Sequence, residues 1–137
     1  MLVSLEQVLQ MAEKDGYCVP AFNVYNIETA RGVINACEEL RSPVILQFYS
    51  RLVTSKVAED VAPIVLDLAH RATVPVCFHL DHGPSELVAQ RALYWGATGI
   101  MYDGSVLDYE ENVKNTRHIV ELCETIDVGV EGELGHV

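Results

Sequence analysis

Segments with helical periodicity alternate with short, almost purely apolar segments along this chain. The apolar segments are PVILQF at 43–48, VPVCFHL at 74–80, TGIMYD at 98–103 and VGVEGEL at 128–134. Strands that are apolar on both faces are typical of parallel sheets covered by helices. The alternation therefore predicts an α/β fold, built either as an open doubly wound sheet or as a (βα)8 barrel.

The helical segments carry recognisable start signals. Ser4 and Gln7 have the spacing of a capping box, and Asp108 and Glu111 repeat it before the last helix. Pro63 is expected in the first turn of its helix, where its missing N–H has no intrahelical partner to lose. No linker or low-complexity tract separates these units, so the whole chain is expected to belong to one domain.

Composition excludes several classes of function. The chain has 9 Lys and Arg against 20 Asp and Glu, and this charge would repel nucleic acid and anionic membranes. No apolar run reaches the roughly 18 residues of a membrane-spanning helix, and the N-terminus lacks the pattern of a signal peptide. Four widely spaced cysteines without a CxxC pair are expected to be buried free thiols in a cytoplasmic protein: Cys18, Cys37, Cys77 and Cys123.

Motif and length considerations favour the barrel. The first strand is not followed by GxGxxG, and GxxxxGK[ST] is absent, which argues against a nucleotide-binding doubly wound fold. A complete barrel needs about 250 residues. We therefore expect a (βα)8 TIM barrel of which this chain covers about the first five strands.

Polar residues gather where the apolar strands are expected to end. These positions are Asn23, Gln47, Asp81, His82, Asp103 and Glu133. In either architecture the carboxyl ends of the strands meet at one face, which would bring the carboxylates together. Their mutual repulsion would be relieved by a divalent cation, and imidazole with carboxylates suits zinc.

Simpler interpretations of the same residues stay open. An acid at a strand end can cap the following helix, and Asp103 can cap a turn before Gly-Ser. His79 is expected to face inward and to pack or hydrogen-bond below the site. His70 and His118 are expected on helix surfaces.

Five segments together resemble the class II, zinc-dependent ketose-bisphosphate aldolases, which include the fructose- and tagatose-bisphosphate enzymes. They are GYCVPAFNVYNIETARGVINACEELRSPVILQ, VPVCFHLDHG, GATGIMYDGS, YEENVKNT and VGVEGELG, in this order. The resemblance implies a cytoplasmic TIM-barrel enzyme that is a dimer or tetramer. It also implies that residues 1–137 are the N-terminal part of a single barrel domain.

The resemblance implies a role for each matching residue. His82 corresponds to the first of three zinc-binding histidines, and Asp81 to the acid/base at the cleaved carbon–carbon bond. Asp103 and Glu133 correspond to acids that hold a metal at an alternative, more buried position. Asn23 corresponds to a substrate contact. The expected cofactor is Zn²⁺, with a second divalent or a monovalent cation left open.

The expected reaction is reversible cleavage of fructose or tagatose 1,6-bisphosphate to dihydroxyacetone phosphate and glyceraldehyde 3-phosphate. The sequence does not choose between these two ketoses. One departure from the family lies after Gln47: Tyr49 stands where a serine is expected, and Arg51 replaces a glycine. Ser50, one place late, is therefore the candidate for the substrate-binding serine.

A second departure concerns length. The other two zinc histidines, the mobile-loop glutamate and the phosphate loops belong to the half of the family's barrel that this sequence does not contain. We therefore expect the chain alone to be inactive. Two alternatives are a non-catalytic or degenerate aldolase-like partner protein and a barrel metallohydrolase.

Overall fold

The computed structural model describes residues 1–135, so His136 and Val137 lie outside the described part of the chain. Helices and strands alternate as the sequence predicts. The elements are α1 (Leu5–Asp15), β1 (Ala21–Asn23), α2 (Ile27–Leu40), β2 (Val44–Tyr49), α3 (Ser50–Val53), α4 (Val57–Arg71), β3 (Val76–Gly83), α5 (Glu86–Tyr94), β4 (Gly99–Tyr102), α6 (Tyr109–Glu124) and β5 (Gly129–Gly132).

The five strands form one parallel sheet in the order β1-β2-β3-β4-β5. A doubly wound sheet reverses its strand order at a switch point, and this sheet does not. Strictly sequential parallel strands are the arrangement found around a (βα)8 barrel. The expected α/β fold with about the first five strands of such a barrel is confirmed, and the doubly wound alternative is excluded.

Alternate side chains of the strands enter two different apolar clusters. Leu46, Phe48 and Phe78 belong to the larger cluster, which the sheet forms with helices α2 and α4 to α6. Ile45 and Cys77 point to the opposite face of the sheet and pack against α1. This second face is the one that lines the interior of a barrel.

Helix α1 covers the interior face near the amino ends of the strands. The backbone N–H of Val3 donates to Val76 O at 2.9 Å, and that of Leu5 donates to Thr98 O at 3.0 Å. A Cβ at Gly99 would lie 2.9 Å from Leu5 Cβ, so glycine permits this close approach. Because α1 occupies the amino end, the carboxyl ends of the strands are the part of the interior left for a site.

The structure differs from the expected helix starts in two places. The Ser4–Gln7 capping box forms, but Asp108 caps α6 without a side-chain hydrogen bond, so the second box does not. Pro63 lies inside α4 rather than in its first turn, because the helix already begins at Val57. The carbonyl that Pro63 leaves without an N–H partner belongs to exposed Glu59, where water can take its place.

The cysteine prediction is wrong for one of the four residues. Cys37, Cys77 and Cys123 are buried free thiols, whereas Cys18 is exposed. Cys18 lies in the connection between α1 and β1, outside both apolar clusters.

The two ends of the sheet are open within residues 1–135. β1 and β5 each pair with one neighbouring strand only, and Phe22 of β1 is 45% exposed. Unpaired strand edges with apolar side chains are what a barrel shows when only part of its strands is present. Among the described residues, none of the helices has the length and apolar character needed to span a bilayer.

Candidate metal and acid–base site

Asp81 lies near the end of β3 and points into the barrel interior. Its Oδ2 accepts a hydrogen bond from Asn23 Nδ2 at 3.1 Å, and its Oδ1 accepts one from Gln47 Nε2 at 3.1 Å. The residue is 9% exposed. Two amides from two neighbouring strands therefore fix the carboxylate in one orientation, while each oxygen keeps capacity for a further hydrogen bond.

His82 follows Asp81 at an irregularity in β3. The register between β3 and β4 shifts between Leu80 and Gly83, and His82 has a φ of 51°. This left-handed conformation is uncommon for a residue other than glycine and stores local strain. It places His82 within β3, which runs beyond the apolar segment 74–80 that the sequence predicts for this strand. The bulge allows Asp81 and His82, adjacent in sequence, both to lie at the mouth of the barrel.

His82, Asp103 and Glu133 form a cluster at the ends of three successive strands. His82 Nδ1 lies 2.9 Å from Asp103 Oδ2 and 3.2 Å from Glu133 Oε2. One nitrogen or oxygen atom from each residue lies within 4.8 Å of the others. Of the strand-end residues expected to converge, these three therefore do so in the structure, and Asp81 is not one of the group.

The electrostatics of this cluster favour a cation. The pKa of His82 is raised, first by its hydrogen bond to Asp103 and then by the surrounding carboxylates. Burial acts to raise the pKa of Asp103, but hydrogen bonds from Ser105 and His82 outweigh it and lower that pKa. The Ser105 hydroxyl donates to Asp103 Oδ1 at 2.6 Å. A proton or a metal ion at this point would be held by the same negative charges.

Glu133 Oε2 supports the presence of a ligand. His82 Nδ1 lies closer to Asp103 Oδ2, at 2.9 Å, than to Glu133 Oε2, at 3.2 Å, and Glu133 Oε2 is buried without a hydrogen bond within residues 1–135. A buried carboxylate oxygen without a hydrogen-bond partner costs folding free energy unless an ion or a water molecule binds to it. One imidazole nitrogen with two carboxylates is a donor set that divalent zinc accepts. These residues therefore fit a divalent metal ion.

Asn112 of α6 holds the segment that carries Glu133. Its Nδ2 donates to the Glu133 backbone oxygen at 2.8 Å, and its Oδ1 accepts from Thr116 Oγ1 at 3.1 Å. Asn112 is 4% exposed, which is unusual for an amide side chain. Sequence reasoning missed this residue, and the signal that points to it is a polar side chain on the apolar face of an amphipathic helix.

Gln47 and Glu131 also contribute to the interior without having been assigned a role from the sequence. Below Asp81, His79 is 1% exposed, as expected for an inward-facing residue. Neither of its ring nitrogens has a hydrogen bond within the described residues, and Nε2 lies 3.5 Å from Glu131 Oε2. Burial lowers the pKa of His79 to about 4. Burial and then the charge of Asp81 raise the pKa of Glu131.

Burial of His79 predicts a specific sensitivity to acid. Its pKa is about 4 in the folded protein against 6.5 for the ordinary group, so the unfolded chain binds a proton first as the pH falls. Stability is therefore lost below the unfolded pKa, by about 2 kcal/mol between roughly pH 7.5 and pH 5. Urea unfolding of the full-length protein should show that His79→Gln reduces this loss. The exposed control His70→Gln should leave it unchanged, and an equal loss in all three proteins would contradict the assignment.

Ser50 is the candidate for the substrate-binding serine, and its hydroxyl is not among the hydrogen-bonded groups around Asp81 and His82. It is the first residue of α3 and is 8% exposed, and its hydroxyl makes no hydrogen bond within residues 1–135. Tyr49 instead lies at the mouth, with its ring centroid 6.2 Å from that of His82.

Sequential parallel strands with polar residues at their carboxyl ends define the class of (βα)8-barrel proteins, in which the active site occupies that rim. Within this class, the chain belongs to the family described as fructose-bisphosphate aldolase class-II, whose model matches residues 3–137. The resemblance stated from the sequence is thus confirmed. Members of this family are aldolases, which are lyases, and are generally metal-dependent.

Three relatives illustrate the similarity. The fructose-bisphosphate aldolase of Thermus caldophilus is 40% identical over 137 residues, which are 100% of this chain and 45% of that protein. The sulfofructosephosphate aldolase of Alkalicoccus urumqiensis is 33% identical over 135 residues, covering 98% and 47%. The crystal structure of the YdjI aldolase from Escherichia coli K12 matches with a TM-score of 0.93 and 37% identity, covering 98% of this chain and 51% of that one. The chain therefore spans about half the length of the relatives it matches.

Proposed function

We propose that the protein carrying this sequence is a metal-dependent ketose-bisphosphate aldolase. It would cleave fructose or tagatose 1,6-bisphosphate reversibly to dihydroxyacetone phosphate and glyceraldehyde 3-phosphate. The observation that carries the proposal is Asp81, a buried carboxylate fixed by Asn23 and Gln47 at the strand end that also supplies His82. The aldolase names of the relatives support the same assignment.

Asp81 would transfer the proton at the cleaved bond. In the cleavage direction its carboxylate accepts the proton of the C4 hydroxyl as the C3–C4 bond breaks. The electron pair of that bond then passes towards the C2 carbonyl, forming the enediolate of dihydroxyacetone phosphate. In condensation the same carboxyl returns its proton to the new hydroxyl. The amides of Asn23 and Gln47 keep the carboxylate aimed at this position, because both of its oxygens are held.

His82 would be the zinc ligand supplied by this part of the barrel, with Asp103 and Glu133 holding a metal at a deeper, alternative position. A bound divalent ion would supply Lewis acidity at the substrate carbonyl. We propose Zn²⁺ as this ion, and a second divalent or a monovalent cation as a further component of the complete enzyme. Asn23 and Ser50 are the proposed substrate contacts.

We also propose a domain organisation, an oligomeric state and a cellular location for the protein. Residues 1–137 would be the N-terminal part of a single barrel domain, inactive without the remaining strands. The complete protein would be a cytoplasmic dimer or tetramer acting in carbohydrate metabolism. The net charge of −11 over residues 1–137 disfavours nucleic acid and anionic membranes as partners.

The test is a coupled assay for triose phosphates with the full-length protein and either fructose or tagatose 1,6-bisphosphate. Triose phosphates should form from at least one ketose, and EDTA should stop their formation. A metallohydrolase would instead release inorganic phosphate without triose phosphates. Absence of both products with the zinc-loaded protein would favour the non-catalytic alternative.

A further inference from the structure

The buried amide of Asn112 lies between the two segments that carry Asp103 and Glu133. Asn112 is near the start of α6, the helix that connects β4 to β5. Asp103 directly follows β4, and Glu133 directly follows β5. One side chain of the connecting helix is therefore in a position to contact both segments.

The contact with the segment after β5 is a hydrogen bond. Asn112 Nδ2 donates to the Glu133 backbone oxygen at 2.8 Å. The hydroxyl of Thr116, one turn further along α6, donates to Asn112 Oδ1 at 3.1 Å. Because this hydroxyl occupies the oxygen of the amide, the N–H groups face Glu133.

The contact with the segment after β4 is close packing. Gly104 follows Asp103 and is buried, and a Cβ at this position would lie 2.7 Å from Asn112 Cγ. Only glycine allows the backbone to approach the amide this closely. Asn112 therefore holds the backbone of Glu133 and also limits where the backbone next to Asp103 can lie.

Packing alone does not explain an amide at this position. Asn112 is 4% exposed, and burial of an amide costs folding free energy that its hydrogen bonds must offset. An apolar side chain would fill the space without that cost. It would not hold the backbone oxygen of Glu133.

We infer that Asn112 is a positioning residue of the metal site, which sets the distance between the Asp103 and Glu133 carboxylates beside His82. The inference rests on the proposed function, in which these two acids hold a metal ion. Both carboxylates approach His82 Nδ1, at 2.9 and 3.2 Å. Because Glu133 Oε2 makes no hydrogen bond within residues 1–135, its position there depends on where the Glu133 backbone is held.

A double-mutant cycle on zinc affinity tests the inference in the full-length protein. Competition with a chromogenic chelator measures the affinity of Asn112→Ala, of Glu133→Gln and of the two combined. Asn115→Ala is the matched control, because it makes the same change at a half-buried asparagine of the same helix. Urea unfolding of each variant measures any loss of stability separately.

We expect Asn112→Ala to weaken zinc binding about 10- to 100-fold, the range for removal of an outer-shell partner. In the Glu133→Gln background the same change should alter zinc affinity less than about twofold, because Asn112 acts through Glu133. Asn115→Ala should leave zinc affinity unchanged. Thr116→Val removes only the hydroxyl that orients the amide, and it should give a smaller loss with the same dependence on Glu133.

The Thr116→Val cycle decides the question if Asn112→Ala does not fold. Equal losses of zinc affinity with Glu133 and with Gln at position 133 would show a structural role, and no loss in either background would show no role. Both results would overturn the inference. An unmodified full-length protein that binds no zinc would instead overturn the proposed metal role of the cluster itself.

Discussion

Replacement of Asp81 by alanine in the full-length protein should remove cleavage while leaving bound zinc in place. The Asp81 carboxylate accepts hydrogen bonds from Asn23 and Gln47, and within residues 1–135 it is not one of the groups of the His82–Asp103–Glu133 cluster. Loss of a positioned general acid/base lowers the rate by about 10²- to 10⁴-fold. The measurements are kcat for ketose bisphosphate cleavage and metal content by mass spectrometry.

A matched control is available on the outer surface. Asp60 is an exposed carboxylate in the first turn of α4, and Asp60→Ala should leave kcat unchanged. A second variant, Asn23→Ala, removes one of the two amides that hold the Asp81 carboxylate. It should lower kcat less than Asp81→Ala does, because Gln47 still holds the carboxylate. Turnover near the unmodified level in Asp81→Ala would remove its assigned role.

Replacement of His82 by alanine should abolish both metal retention and activity. Within residues 1–135 His82 supplies the one imidazole of the cluster, and its removal takes a direct ligand from the proposed zinc ion. The loss of affinity should exceed the roughly 10- to 100-fold that removal of an outer-shell partner causes. Competition with a chromogenic chelator would measure zinc affinity directly, alongside the cleavage rate.

The acids of the cluster provide a graded comparison. Glu133→Gln keeps the shape of a side chain whose Oε2 is buried without a hydrogen bond, and should weaken zinc retention less than His82→Ala. His70→Ala, on an exposed histidine of α4, should change neither property. A His82→Ala protein with full zinc content and normal cleavage would show that the metal site lies elsewhere.

The sequence predicted the cluster because parallel strands bring their carboxyl ends to one edge. Once the apolar segments around residues 80, 100 and 130 were assigned as neighbouring strands, the positions of His82, Asp103 and Glu133 followed without knowledge of side-chain angles. His79 is predictable as an interior residue in the same way, because residues two apart on a strand share a face.

The details that the sequence did not predict depend on register and on local backbone irregularity. The sequence places Gln47 at a strand end but predicts no role for it, because only the observed register brings its amide to Asp81. The bulge at His82 interrupts simple alternation, and no residue pattern marks it. The approach of His79 Nε2 to Glu131 Oε2, at 3.5 Å, joins β3 and β5. These strands are not adjacent, so strand pairing alone does not predict it.

Anomalous diffraction at the zinc edge from crystals of the full-length protein would locate the proposed metal ion relative to His82 and Asp81. We expect zinc at about 2.0–2.1 Å from a ring nitrogen of His82. With dihydroxyacetone phosphate bound, the Asp81 carboxylate should lie at the same mouth, on the side where an aldehyde would enter. A metal ion bound away from His82, with Asp81 facing no bound substrate, would contradict it.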